Sequence, residues 1–187
     1  MSPITHLLAG WTAANAANLN RRERMFVTLA GVLPDADGLG VIADLLIRNP
    51  ANPFEYYQKY HHAFGHNIFF ALLLAALAAL FSSRKSLTAL LVLVSVHLHF
   101  AGDIIGARGL GDDFWPVPYL WHFADLNLYW SRQWPLNGWQ NFVITGALMG
   151  LMFFLAWKRG HSLIEIASKK ADDGFVAALR QRFGEPA

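Results

Sequence analysis

The sequence predicts an all-α helical bundle, membrane-integral, with helical hairpins and an aromatic-rich interfacial segment. Three observations lead there. Apolar residues make up 55% of the 187 and charged residues only 15%, against roughly a quarter charged in an average soluble protein. Long apolar runs cover 67–81, 86–105 and 141–157, and almost nothing in the chain alternates as strands do. Basic residues and tryptophans stand at the ends of these runs, where membrane interfaces would lie.

Taken in order, Ser2 and Pro3 read as an N-cap and first-turn pair that opens a helix through about Asn20. The RRER stretch (21–24) reads as a polar break, with a short helix from about 23 to 33. Pro34 should end it, because LPDADGLG (33–40) is turn chemistry. A modest helix over VIADLLIR and a loop at NPANP follow. The three apolar runs come next, the first two joined by a tight SSRK connection. They are borderline spans for a bilayer, which needs roughly 17 to 25 residues; a buried soluble core is the competing reading. The tail from Ser162 reads as an amphipathic helix broken near Gly174. Its basic residues suit an anionic cytoplasmic surface or a solvated helix equally. The expected organisation is a helical membrane domain over 1–160 and a helical tail over 161–187.

Composition also excludes. No Cys is present, so disulfides, thiolate zinc sites and cysteine nucleophiles are ruled out. A net charge of +2, with scattered basic residues, offers no nucleic-acid stripe. The N-terminus lacks the basic start and small-residue cleavage site of a secretory signal, so membrane segments are expected to persist in the mature protein.

The connections carry the main inference. If 67–83 and 86–105 run antiparallel about SSRK, then His61, His62 and His66 lie beside His97, His99 and Asp103, away from Arg84 and Lys85. The first hairpin repeats this, with RRER at one end and His6, Asp35 and Asp37 at the other. Both hairpins thus sort basic tips to one side and histidines and carboxylates to the other. The positive-inside tendency then places the polar cluster on the non-cytoplasmic side. The first hairpin is too short and too polar to be assigned as crossing, and packing against the other helices is the alternative.

His99 and Asp103, four apart, are separated by about 40° around a helix and share a face; His97 lies about 200° from His99 and points elsewhere. A helix-end hydrogen bond competes with metal ligation for that pair. Helical spacing pairs His62 with His66, whereas His61 with His66 needs a bend near Gly65. Asp35 and Asp37 in PDADG also fit ordinary turn and N-cap chemistry. Convergence favours a metal: carboxylates beside an apolar core cost several kcal/mol each unless paired, and no Lys or Arg lies within these motifs. Mixed His and Asp ligands suit zinc first, one ion or two, with manganese or iron as substitutes.

The ordered pieces ITH (4–6), LPDADGL (33–39), HHAFGH (61–66) and HLHFAGD (97–103), followed by GLGDDFWPVP (109–118), resemble the bacterial inner-membrane metal-dependent hydrolases of the YdjM type. Those proteins carry a threonine-histidine near the start, LPDxD, a histidine-arginine-glycine-x-threonine-histidine-serine segment, and HxxxD. The resemblance spans residues 4–118 and implies His6, Asp35, Asp37, His61, His66, His99 and Asp103 as metal ligands, favouring His61 over the His62 that helical spacing prefers. HHAFGHN departs from the family segment, replacing its Arg, Gly, Thr and Ser. A more distant likeness, to the zinc-dependent phospholipase C and single-strand nuclease superfamily, lacks the second HxxxE helix. His122 and Asp125 are only a stand-in for it.

Residues 106–140 hold five of the seven tryptophans, which suggests an interfacial lid admitting an amphiphile, or a plain aromatic belt. The expected function is therefore a membrane-bound hydrolase acting on a phosphoester of a lipid or lipid-linked substrate through metal-activated water. Asp35 or Asp37 would bridge metals or act as base. The partners expected are the bilayer and that substrate, with no nucleic acid. A non-catalytic metal-binding, transport or scaffold protein is the main rival; a haem protein would want two facing imidazoles without crowding carboxylates.

Overall fold

A computed structural model describes residues 1–186 except 51, 54, 63 and 110–112, with Gln58 described by its backbone alone. Part of GLGDDFWPVP therefore lies outside the described residues. Helix α1 (Pro3–Ala14) is opened by Ser2, whose Oγ accepts the Thr5 N–H at 3.2 Å, with Pro3 in the first turn. It stops well before Asn20. Asn15 folds its amide back onto the Trp11 carbonyl at 2.9 Å, so it closes α1 as a cap rather than continuing the helix.

Asn20 then opens α2 (Arg21–Ala30) with a capping box to Glu23. RRER is accordingly the first turn of a helix and not a break. The Glu23 carboxylate also accepts the Arg84 N–H at 2.8 Å, which binds the tip of the first hairpin to that of the second. With Glu23 only 1% exposed, Glu23→Ala is expected to lower stability by about 2 kcal/mol, read as a drop in unfolding temperature in detergent.

The LPDADGL segment forms a short 3-10 helix (Leu33–Leu39) rather than an open turn. It leads into α3 (Gly40–Ile47), closed by Arg48 in the left-handed region. A short helix that periodicity does not signal follows, α4 (Glu55–Tyr60). Its start is held by Asp44, whose two carboxylate oxygens accept the Tyr56 and Tyr57 N–H groups at 2.9 and 2.8 Å.

Asn67 caps α5 (Ile68–Leu80), and a tight turn joins it to α6 (Lys85–Gly106), against which it packs. A minimal antiparallel pair, β1 (Val117–Pro118) with β2 (Asn127–Leu128), sits in the aromatic segment. Helix α7 (Trp139–Arg159) precedes a 3-10 turn (Leu163–Ile166) and α8 (Lys169–Phe183). The tail helix is not broken at Gly174. A mid-helix glycine costs only about 1 kcal/mol, and Ser168 and Gly184 cap the helix at its two ends.

The 22 residues of α6 and 21 of α7 extend about 33 and 32 Å, matching the roughly 30 Å hydrocarbon core of a bilayer. Helix α5, with 13 residues, reaches only about 20 Å. The first apolar run is thus too short to cross by itself. A third span is possible only if α2 and the Leu33–Ile47 segment count as one crossing bent by 49°. Leu72, Leu90, Leu98, Phe142 and Phe154 all point outward from α5, α6 and α7, as lipid-facing side chains do. Helix α1 is central instead: Leu8 and Trp11 are buried, and it packs on α2, α6 and α7.

Close packing of small residues lets α1 approach α2. A Cβ on Gly10 would lie 2.7 Å from the Thr28 carbonyl and 2.8 Å from Ser95 Oγ. This crossing carries His6 and the Gly31 carbonyl to the same level as His99. Both hairpins have their tips together, because Arg84 Nη1 donates to the Asn18 carbonyl at 2.5 Å. At the far end the Asn141 amide donates to the Gly106 carbonyl at 2.8 Å, so α7 starts where α6 finishes.

Candidate metal centre

Helix α6 supplies His99 and Asp103 one turn apart on its buried face, with Nε2 3.0 Å from Oδ2. The loop between α4 and α5 supplies His66, and the 3-10 segment after α2 supplies Asp35. One ligand atom from each of Asp35, His66, His99 and Asp103 lies within 4.8 Å of all the others. Three of the four side chains are fully buried, and Asp35 is 18% exposed.

The imidazoles are aimed from behind. His99 Nδ1–H donates to the Gly31 carbonyl at 2.9 Å, and His66 Nδ1–H donates to Asp37 Oδ2 at 2.9 Å. With both rings neutral, the form a metal requires, each turns an Nε2 lone pair inward, and the two Nε2 atoms stand 3.0 Å apart. Asp103 Oδ2, although 3.0 Å from His99 Nε2, has no hydrogen-bond partner among the described residues. Asp35 Oδ2 is likewise buried without one. Two inward nitrogen lone pairs, Asp35 Oδ1 and Asp103 Oδ2 repel one another unless a cation or proton stands among them. The donor set therefore fits a divalent metal, with second partners on both histidines as metal-ligating imidazoles usually have.

His6, Asp37, His61 and His62 adjoin this centre without joining the four. His6 Nε2–H donates to Asp103 Oδ1 at 3.1 Å, and the Met1 ammonium pairs with the same oxygen. Asp37 accepts from His66, from His61 Nδ1 at 3.1 Å and from the Gly65 N–H at 3.1 Å, so it organises the histidine loop. His61 reaches Asp37; His62 stacks on His66 with ring centroids 4.0 Å apart and donates Nδ1–H to the Pro116 carbonyl. The helical spacing that favoured His62 does not apply, because residues 61, 62 and 64–67 are not helical and His62 has a φ of 65°. His97 faces away, bonded to the Leu93 carbonyl and Tyr119 hydroxyl. His122 and Asp125 are exposed.

Burial pulls the pKa of His66 down, but the carboxylates of Asp103 and Asp37 outweigh it and raise it to about 9. His62 goes the other way, to about 3, through burial and the neighbouring His66 charge. In the ion-free protein the stabilisation from charged His66 is fully present below its ordinary 6.5 and lost as pH rises through about 9. A metal must displace that proton. Zinc affinity, measured by chelator competition, is expected to rise about tenfold per pH unit toward pH 9 and then level.

Tyr57 went unnoticed in the sequence. It stacks on His61 with centroids 4.6 Å apart, and its position four before His61 was the signal that could have found it. Burial, then the charges of Asp35, Asp37 and Asp103, raise its pKa to about 12, so its hydroxyl stays protonated. Trp115, from the aromatic segment, lies edge-on to His61 at 4.9 Å. Asp35, Tyr57, His61, Asp103, Trp115 and Leu136 help line a cavity of about 330 Å³ beside the centre.

Fold and site together define a helical membrane protein with a His and Asp cluster buried between its hairpins. The chain belongs to the YdjM inner membrane protein family, whose family model matches residues 1–168. No curated relative and no solved structure matches it.

Proposed function

We propose that this protein is a membrane-bound metal-dependent hydrolase acting on a phosphoester of a lipid or lipid-linked substrate, with its metal centre on the non-cytoplasmic side. The observation carrying this reading is the convergence of His66 and His99 Nε2 with carboxylate oxygens of Asp35 and Asp103 beside a cavity. A divalent ion bound there, zinc first among the candidates, supplies Lewis-acid chemistry that acidifies water and offsets charge on a phosphoester oxygen. Asp37 and the Gly31 carbonyl hold the two imidazoles in orientation. Asp35 is the ligand exposed toward the cavity, and its carboxylate is the group placed to accept a proton from water. Tyr57 Oη can donate a hydrogen bond to a leaving oxygen, while Trp115, Leu39 and Leu136 form an apolar wall suited to an amphiphile. Orientation follows from the basic tips gathered at the opposite end.

A non-catalytic metal-binding role is favoured by one feature: four protein ligands can complete a tetrahedral shell without water. The two readings part on turnover. Purified protein loaded with zinc or manganese should hydrolyse members of a panel of phospholipid and aryl phosphoesters, lose that activity to a chelator, and regain it on metal return. Metal-replete protein inert across the panel would overturn the hydrolase and leave the binding role.

A further inference from the structure

The opposite end of the bundle holds a second cavity, of about 370 Å³, lined by residues of four segments: the 17–20 turn, the start of α2, the α5–α6 turn and the end of α7. Arg24, Arg84 and Arg159 line it with His161; Glu23 is its one lining carboxylate. The walls are held in place. Arg24 makes a two-pronged ion pair with Glu165 at 2.6 and 2.7 Å and reaches the Leu19 carbonyl, while His161 bonds to Asn15.

Charge accounting gives the cavity its sign. The Glu23 oxygens accept the backbone N–H groups of Asn20 and Arg84, and the Glu165 oxygens are taken by Arg24. The Arg84 guanidinium bonds a carbonyl, that of Asn18. Arg159 is exposed and makes no side-chain hydrogen bond or ion pair among the described residues. Helix dipoles roughly cancel, because α1 and α7 end where α2 and α6 begin. Three arginines against Glu23 and Glu165 leave one net positive charge, carried on arginine side chains whose planar forks match phosphate oxygens.

We propose that this cavity binds a phosphate group, and that its source is the headgroup of an anionic phospholipid. The cavity sits at the ends of α6 and α7, the two helices of bilayer-spanning length, and therefore at headgroup level. There acidic lipids are concentrated and basic pockets between spans select them. The lining, with Asn18, Asn20 and Ser83 beside the arginines, is polar enough for a phosphodiester and glycerol. The inference depends on membrane insertion and is independent of the chemistry proposed at the metal centre.

The test uses the full chain in phosphatidylcholine nanodiscs doped with phosphatidylglycerol, with lipid retention on stripping read by native mass spectrometry. Wild type should retain phosphatidylglycerol about tenfold over phosphatidylcholine, and Arg159→Gln should cut that preference about fivefold. Lys170→Gln, an equal charge change on exposed α8 outside the cavity, should leave it unchanged. No preference in wild type, or an equal loss in both variants, would overturn the site. Inorganic phosphate supplies the second arm: protection of wild type by phosphate alone, with no lipid preference, would overturn the lipid source.

Discussion

Asp103→Ala is expected to purify with less than about a tenth of the wild-type metal per chain, measured by inductively coupled plasma mass spectrometry. The carboxylate does more than contribute one ligand oxygen. Its Oδ2 faces His99 and His66 at 3.0 and 3.5 Å, and its Oδ1 holds His6. Removing it leaves buried imidazoles without the negative charge that draws a cation between them. Asp103→Asn keeps the shape and the contact to His6 while deleting the charge, so it should fold better than the alanine variant and still lose the metal. Asp125→Ala, at an exposed carboxylate remote from the cluster, should keep it. Metal content unchanged in both Asp103 variants would remove the basis of the proposed function.

Gly65→Ala should be the most damaging glycine substitution among the described residues. A Cβ there would strike the carbonyl oxygen and Cα of Pro34, both backbone atoms, so no side chain can swing aside. A loss of about 3 kcal/mol is expected from overpacking at a rigid contact, and metal should fall with it. The reason for the coupling is local. This close approach sets the histidine loop against the LPDADGL segment, allowing the Gly65 N–H and His66 Nδ1–H to reach the same oxygen of Asp37. Gly174→Ala is the contrast, since nothing lies within 4 Å of its Cβ position. Replacing that mid-helix glycine should stabilise by up to about 1 kcal/mol. Thermal unfolding in detergent together with metal analysis separates the two outcomes.

Features arising from short-range regularity were legible. Helical periodicity put His99 and Asp103 on one face of α6, and the positions of RRER and SSRK foretold that both hairpins would collect basic residues at one end. Arg84 reaching Asn18, and His66 lying beside His99, are what that reading anticipated. Errors fell where chain direction changes. Asn15 and Asn20 turned out to be caps, so α1 was read too long and α2 was read as starting too late. The α5 run looked nearly long enough to cross, but its asparagine cap trims it to 13 residues.

The order of apolar runs, basic tips and short His and Asp motifs was sufficient to determine an all-α membrane protein that concentrates potential ligands at one end, because burial period and charge placement are properties of neighbouring residues. Which side chains meet was decided by tertiary structure alone. The distinction between Asp35 as a cluster member and Asp37 as the acceptor behind His66, the choice of the Gly31 carbonyl as support for His99, and the stacking of His62 all depend on close backbone approaches at Gly10, Gly31 and Gly65. Those approaches join segments tens of residues apart. Their geometry is set by steric fit between helices, which no local pattern encodes.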